Sequence, residues 1–173
     1  MGKISISISP IHNFERGVII NPIVHDLPME ITDLASEITK KHGKIVKDTL
    51  VDILKELGND YEESVIIELN NFAILYSKFP IFVDEDFMER HDLYTELFDV
   101  YLYAFECAMD SEESVVIVPL EWESSFLYDP GMIVDIAHTC ARIFEEHFSE
   151  IILQATDSEI LKYISKTSWK PNE

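Results

Sequence analysis

The run Ser114 to Leu120, SVVIVPL, constrains the fold more than any other part of the chain. Branching at Cβ favours extended backbone, and successive apolar residues leave no polar face for solvent. Such a strand belongs at the centre of a sheet, in a parallel-type environment covered on both sides, with Pro119 turning its exit. The rest of the chain then has to supply strands beside it and amphipathic helices above and below it.

Both are present in the pattern. Ile4, Ile6 and Ile8 alternate with Ser5, Ser7 and Ser9 before Pro10, which is the period of a half-buried strand. Val18, Ile19 and Ile20, then Ile23 and Val24, form an apolar run bounded by Gly17 and Pro22, read as a buried strand that ends in a turn. From Thr32, a good N-cap residue with Asp33 behind it, Leu34, Ile38, Ile45, Leu50, Ile53, Leu54 and Leu57 recur near helical spacing. Gly43 divides that stretch into two helices, and Gly58-Asn59 ends the second. Val65 to Leu69 and Phe72 to Tyr76 read as two strands around Asn70-Asn71, either a hairpin or strands joined by a tight turn. Leu93, Leu97, Tyr101, Ala104 and Ala108 place a helix from about Asp92 to Met109, and Met132, Ile136, Cys140, Ile143 and Phe148 place another. A strand from Ile151 to Ala155 and a short helix capped by Asp157, with Ile160, Leu161 and Ile164 behind it, complete the order. Strands alternating with amphipathic helices predict an α/β fold: a three-layer α/β/α sandwich with a mixed, mostly parallel central sheet. It is read as one domain over residues 1–166 with a polar tail, 167–173.

Charge narrows the partners. The 173 residues carry 33 Asp and Glu against 13 Lys and Arg, a formal charge of −20, which repels a nucleic-acid backbone before local contacts form. The 47% hydrophobic content is enough to offset chain entropy, so this charge does not imply disorder. MGKISISISP alternates too regularly for a signal peptide, and no stretch approaches the roughly 20 apolar residues that span a bilayer. These features set the expectation of an intracellular protein, cytoplasmic or nuclear, with no membrane partner. Cys107 and Cys140 fall in helical patterns without CxxC spacing and read as reduced, packed thiols.

The order of elements, and several segments within it, resembles the macro domain, an ADP-ribose-binding α/β/α fold, through almost the whole chain. GVIINPIVH, Gly17 to His25, is similar to the family's strand ending in an Asn-containing turn, with Asn21 at the first of its asparagines. DLASEITKKHG, Asp33 to Gly43, is similar to its first helix. VVIVPLEWESSFLYDP, Val115 to Pro130, resembles its strand, proline and phosphate loop, and SEIILQATDSEILKYI its last strand and helix. The resemblance implies a cleft lined by Asn21, His25, Ser124 and Ser125. Glycines are the point of departure. In the family, glycine lets backbone N–H groups approach phosphate closely. Here the first loop reads HDLPME, without glycine, and SSFLYDP places Ser125 and Tyr128 where the second loop's glycines stand, after Glu121 and Glu123. Val24 stands at the second asparagine, and the acidic residue that reads adenine is absent from SPIHNF. Carboxylates at such a cradle oppose a diphosphate by on the order of 1 to 4 kcal/mol per close pair. The resemblance, so modified, implies a degenerate macro-type domain, a pseudoenzyme whose cleft is vestigial.

Other constellations carry little chemistry. The six histidines, His12, His25, His42, His91, His138 and His147, show no metal-ligand spacing. His25-Asp26 is the best catalytic pair, though adjacent side chains seldom point together. Asp84-Glu85-Asp86 with Glu89 lacks the spacing and glycine of a calcium loop. No metal, cofactor or catalytic residue is assigned. From Phe79 to Ala141, however, 15 acidic residues face one base, Arg90, while Lys40, Lys41, Lys44 and Lys47 lie elsewhere. Trp122, Phe126 and Tyr128 crowd the loop in that acidic half, beside Glu121 and Glu123. Rigid aromatic anchors rimmed by charge suit protein recognition.

The sequence therefore favours a non-catalytic, regulatory protein-interaction domain, an adaptor, inhibitor or assembly subunit. It would bind a basic protein or peptide through Glu121, Trp122, Glu123, Phe126 and Tyr128. The alternative is an ADP-ribose or nucleotide reader, or a hydrolase, with a divergent pocket. A third reading is an acidic mimic of nucleic acid that inhibits a DNA- or RNA-binding protein.

Overall fold

A computed structural model of the chain describes residues 2–23, 65–69, 72–78, 90–121 and 130–157, together with 48, 52, 159, 160, 162 and 163. Among these, six strands form one sheet: β1 (Lys3–Ser7), β2 (Gly17–Ile23), β3 (Val65–Leu69), β4 (Phe72–Lys78), β5 (Val115–Pro119) and β6 (Glu150–Gln154). Their order is β1-β6-β5-β2-β4-β3. Every neighbouring pair is parallel except β3 with β4, so the sheet is mixed and mostly parallel. Helix α1 (Arg90–Met109) links β4 to β5, and α2 (Pro130–Phe144) links β5 to β6.

The SVVIVPL run takes the place its chemistry demands. β5 lies between β6 and β2, and all five of its residues are buried. Val116, Ile117 and Val118 point alternately to the two faces, and none has any exposed surface. Coverage of one face comes from α1, which buries Leu97, Tyr101, Ala104, Phe105 and Ala108 and packs on β4, β2 and α2. Phe105 stacks on Phe144 of α2 with ring centroids 5.3 Å apart, locking the two helices together near their C-terminal ends. Ile160 and Tyr163, both helical, pack half-buried against the same continuous core. Cys107 and Cys140 are free thiols, and burial pushes the Cys140 thiol up to about 12.

Four local readings need revision, and one choice left open is settled. β2 does not stop at Pro22 but continues through it to Ile23 in register with β4, Pro22 facing Ser77. β3 and β4 form an antiparallel hairpin, with Leu69 opposite Phe72, which settles the choice left open at Asn70-Asn71. Ile8, read as part of the first strand, lies beyond β1 and is 64% exposed. α2 ends at Phe144, not at Phe148, and passes into a 3-10 turn at Glu145–His147. Ile143, placed on the apolar face by spacing, is exposed, because Phe144 occupies the core position one residue on. The helices expected between Thr32 and Leu57 lie outside the described residues, except that Asp48 and Asp52 are helical. The tail 167–173 and Asp84-Glu85-Asp86 also lie outside them. No helix among the described residues is long and apolar enough to cross a membrane.

Ile117→Ala is expected to cost about 2–5 kcal/mol of unfolding free energy, as for other closely packed core truncations. Ile143→Ala should stay within about 0.5 kcal/mol of wild type. Urea denaturation of the two variants checks the assignment of core and surface.

Candidate ligand site at the switch point of the sheet

β2 and β5 are parallel neighbours, yet they are in register only over Val18↔Val116 and Ile19↔Ile117. Beyond that point β2 stays with β4 as far as Ile23, and β5 stays with β6 as far as Pro119. The backbone ladder between the two central strands thus ends short of their C-terminal ends, although the strands remain close neighbours. The chain leaving β5 crosses to β6, whereas β2 is followed by β3 and β4 on the other side. Neighbouring strands whose connections run in opposite directions define a topological switch point, the place where open α/β sheets hold ligands.

Asn21 stands there, two residues past the last β2–β5 pair, with none of its surface exposed. Its side-chain nitrogen and oxygen are both buried, and neither has a hydrogen-bond partner among the described residues. Two other buried polar residues make the contrast. Ser111 Oγ donates to the Ala108 carbonyl at 2.7 Å, and Gln154 Nε2 donates to the Ser9 carbonyl at 3.0 Å. A buried amide left unpaired costs about 1–3 kcal/mol for each such group, so Asn21 is an unmet demand for one acceptor and one donor.

Glu121 follows β5, and its carboxylate turns away from this crevice. Oε2 accepts from Thr156 Oγ1 at 2.7 Å and Thr156 N at 3.3 Å, and Oε1 accepts from Asp157 N at 2.8 Å. Thr156 and Asp157 follow β6, on the side of β5 opposite β2. Three donors of the chain hold this carboxylate and fix its direction. Asp157 Oδ1 in turn accepts from Glu159 N at 2.9 Å, the bond expected of a helix N-cap.

Of the cleft and interface residues singled out in the sequence, Asn21 and Glu121 are described. The others, His25, Trp122, Glu123, Ser124, Ser125, Phe126 and Tyr128, lie outside the described residues. Among the described residues no group of three or more His, Cys, Asp or Glu is placed to hold a metal ion.

One polar link unseen in the sequence ties the helices near their N-terminal ends. Tyr94 OH on α1 donates to Asp135 Oδ2 on α2 at 3.0 Å. Burial, and after it this hydrogen bond and the charge of Asp135, pushes the Tyr94 phenol up to about 12. His138, one turn along α2, is lowered by burial and by Arg142, against an opposing pull from Asp135.

An α/β/α sandwich on a mixed, mostly parallel sheet, with a switch point between two central parallel strands, belongs to the open α/β folds. Comparison with solved structures makes the class particular: the chain has the macro-domain fold. The macro domain of ganglioside induced differentiation associated protein 2 is similar at a TM-score of 0.75 and 17% identity, over 95% of this chain and 82% of that one. An Oceanobacillus iheyensis macrodomain variant with ADPR matches at 0.70 and 17%, over 95% of this chain and 93% of that one. The Trypanosoma brucei macrodomain in complex with ADP matches at 0.71 and 14%, over 95% and 68%. No family profile and no curated protein matches the sequence.

The neutral phenol of Tyr94 is the form the fold favours, so its stabilising contribution is complete below about pH 10 and is lost as pH rises towards about 12. Alkaline unfolding of Tyr94→Phe should lack that component, and phenolate absorbance should show one late-titrating tyrosine fewer than wild type.

Proposed function

We propose that this chain is a non-catalytic reader of a small ligand of the nucleotide class, ADP-ribose being one candidate, bound at the crevice where β2 and β5 part. The observation that carries the reading is the fully buried, unpartnered amide of Asn21. A ligand edge or hydroxyl that both donates and accepts would satisfy it, and a protein that leaves such a group unpaired forfeits stability that binding recovers. The likeness to macrodomains carrying ADPR and ADP supports the choice of ligand class. The turned-away carboxylate of Glu121 removes one of the objections raised by the sequence.

A second reading keeps the acidic half as a docking face for a basic protein or peptide, and the exposed ridge of α1 favours it. Glu96, Asp99 and Glu106 are exposed along that helix, and Asp110 just after it, together with Tyr103 and Met109, each 42% exposed. Aromatic and thioether surface among carboxylates is the composition of a recognition patch for cations. The two readings occupy different parts of the molecule and are compatible.

Titration calorimetry with ADP-ribose and with adenosine at millimolar ligand tests the first reading. Saturable heat should be lost in Asn21→Leu while the melting temperature stays level or rises, since the substitution removes an unpaired buried amide. Absence of saturable heat with either ligand, or undiminished binding by the variant, overturns it. For the second reading, association of an oligolysine peptide should slow steeply with salt and weaken in Asp99→Lys with Glu106→Lys, whereas an association rate indifferent to both rejects it.

A further inference from the structure

We propose that Thr156 is a phosphorylation site for an acid-directed Ser/Thr kinase, and that its phosphate undoes the tie Glu121 makes between the ends of β5 and β6. The site stands apart from Asn21, because Thr156 follows β6, on the side of β5 away from β2.

Protein kinases choose substrates largely by the charge around the acceptor hydroxyl, and those of the acid-directed class require a carboxylate three residues beyond it. Of all the Ser and Thr in the chain, Thr49 and Thr156 are followed at that distance by an acid, Asp52 and Glu159, and of these two Thr156 alone also has an acid, Asp157, directly after it. Thr156, Asp157 and Glu159 are exposed, and the described residues that pack the following helical segment on the core, Ile160 and Tyr163, are half-buried. A segment held so lightly opens locally at less than the cost of global unfolding, which lets a kinase take it in extended form. Transfer breaks the bond from the γ-phosphorus of a nucleoside triphosphate to the β,γ-bridging oxygen and forms one from Thr156 Oγ1 to that phosphorus. The hydroxyl proton passes to the general base of the kinase, and the nucleoside diphosphate leaves.

In the unmodified chain the Thr156 hydroxyl donates to Glu121 Oε2 at 2.7 Å, and the N–H groups of Thr156 and Asp157 bond the same carboxylate. Esterification removes the hydroxyl proton, so that bond is lost, and sets a group of charge about −1.5 to −2 beside the carboxylate of Glu121. Its oxygens also compete for the two N–H groups that held Glu121. Lys162, the base described in this segment, already meets both carboxylate oxygens of Glu159 at 2.8 Å. A phosphate set among carboxylates acts by like-charge repulsion, and Glu121 leaves the end of β6. Leu120, whose N–H donates to the Gln154 carbonyl at 2.8 Å, keeps its place on the sheet, so the change begins where the chain leaves β5.

The test incubates the full chain with ATP and a Ser/Thr kinase of known requirement for an acid at the third following position, maps phosphate by mass spectrometry and records melting. Phosphate is expected on Thr156, with kcat/KM falling about tenfold or more in Glu159→Gln, which keeps the backbone N–H that Asp157 caps. The melting temperature should drop by about 2–4 °C on phosphorylation, and by less than half as much in Glu121→Gln, where no carboxylate charge is left to repel. Phosphate absent from Thr156, or a rate indifferent to Glu159→Gln, overturns the site. A melting temperature unmoved by the phosphate, or lowered equally in Glu121→Gln, overturns the release of Glu121.

Discussion

Parallel strands hold together by an evenly spaced ladder of backbone hydrogen bonds, and the feature on which the rest of this molecule turns is the place where that ladder opens. The ladder between β2 and β5 ends at Ile19 and Ile117, although the strands stay close. Opening a sheet at its centre strips N–H and C=O groups of partners where water has little access, a costly arrangement unless the groups are removed or met by something else. Both strands carry proline just beyond the fork, Pro22 on β2 and Pro119 on β5, and each removes one donor from the opened region. Asn21 adds a polar side chain to the same place. The fork is thus written into three residues within a few positions of it.

Keeping an unpaired amide there is tolerable because the surrounding core is extensive and continuous. β5 is covered on both faces, α1 and α2 are joined by stacked Phe105 and Phe144, and Val18, Ile19 and Ile20 have no exposed surface. At about 25 cal/mol for each Å² of apolar surface withdrawn from water, a core of this extent outweighs one or two unpaired polar groups. An unpaired buried amide in a region otherwise well packed is the pattern of a functional site rather than of poor folding.

The sheet and its helices were legible in the sequence because their signals are local. The β-branched run of β5, the alternation of β1 and the spacing of Leu97, Tyr101, Ala104 and Ala108 each follow from a short window of chain. Errors arose where a neighbour outside the window decided the outcome. Pro22 stays in its strand because β4 continues beside it while β5 has left, and neither fact is visible in GVIINPIVH. Ile143 is exposed because Phe144 reaches Phe105 on another helix. The role of Glu121 depended on Thr156 and Asp157, which lie 35 and 36 residues away. Asn21 was singled out through resemblance alone. What distinguishes it is the lack of a partner, a property of the assembled sheet that no spacing in the sequence encodes.

The same distinction governs ligand choice in this architecture. Strand order fixes where a ligand sits, since the fork between β2 and β5 follows from topology and is shared by every sheet connected in this way. What the ligand is follows from the segments that leave the strands, and these differ freely at 14–17% identity. In this chain Glu121 and Asp157 place carboxylates on the backbone N–H groups of Thr156, Asp157 and Glu159. Glu121 shows the physical logic: its bonds to Thr156 and Asp157 tie the segment after β6 to the end of β5 across 35 and 36 residues of chain.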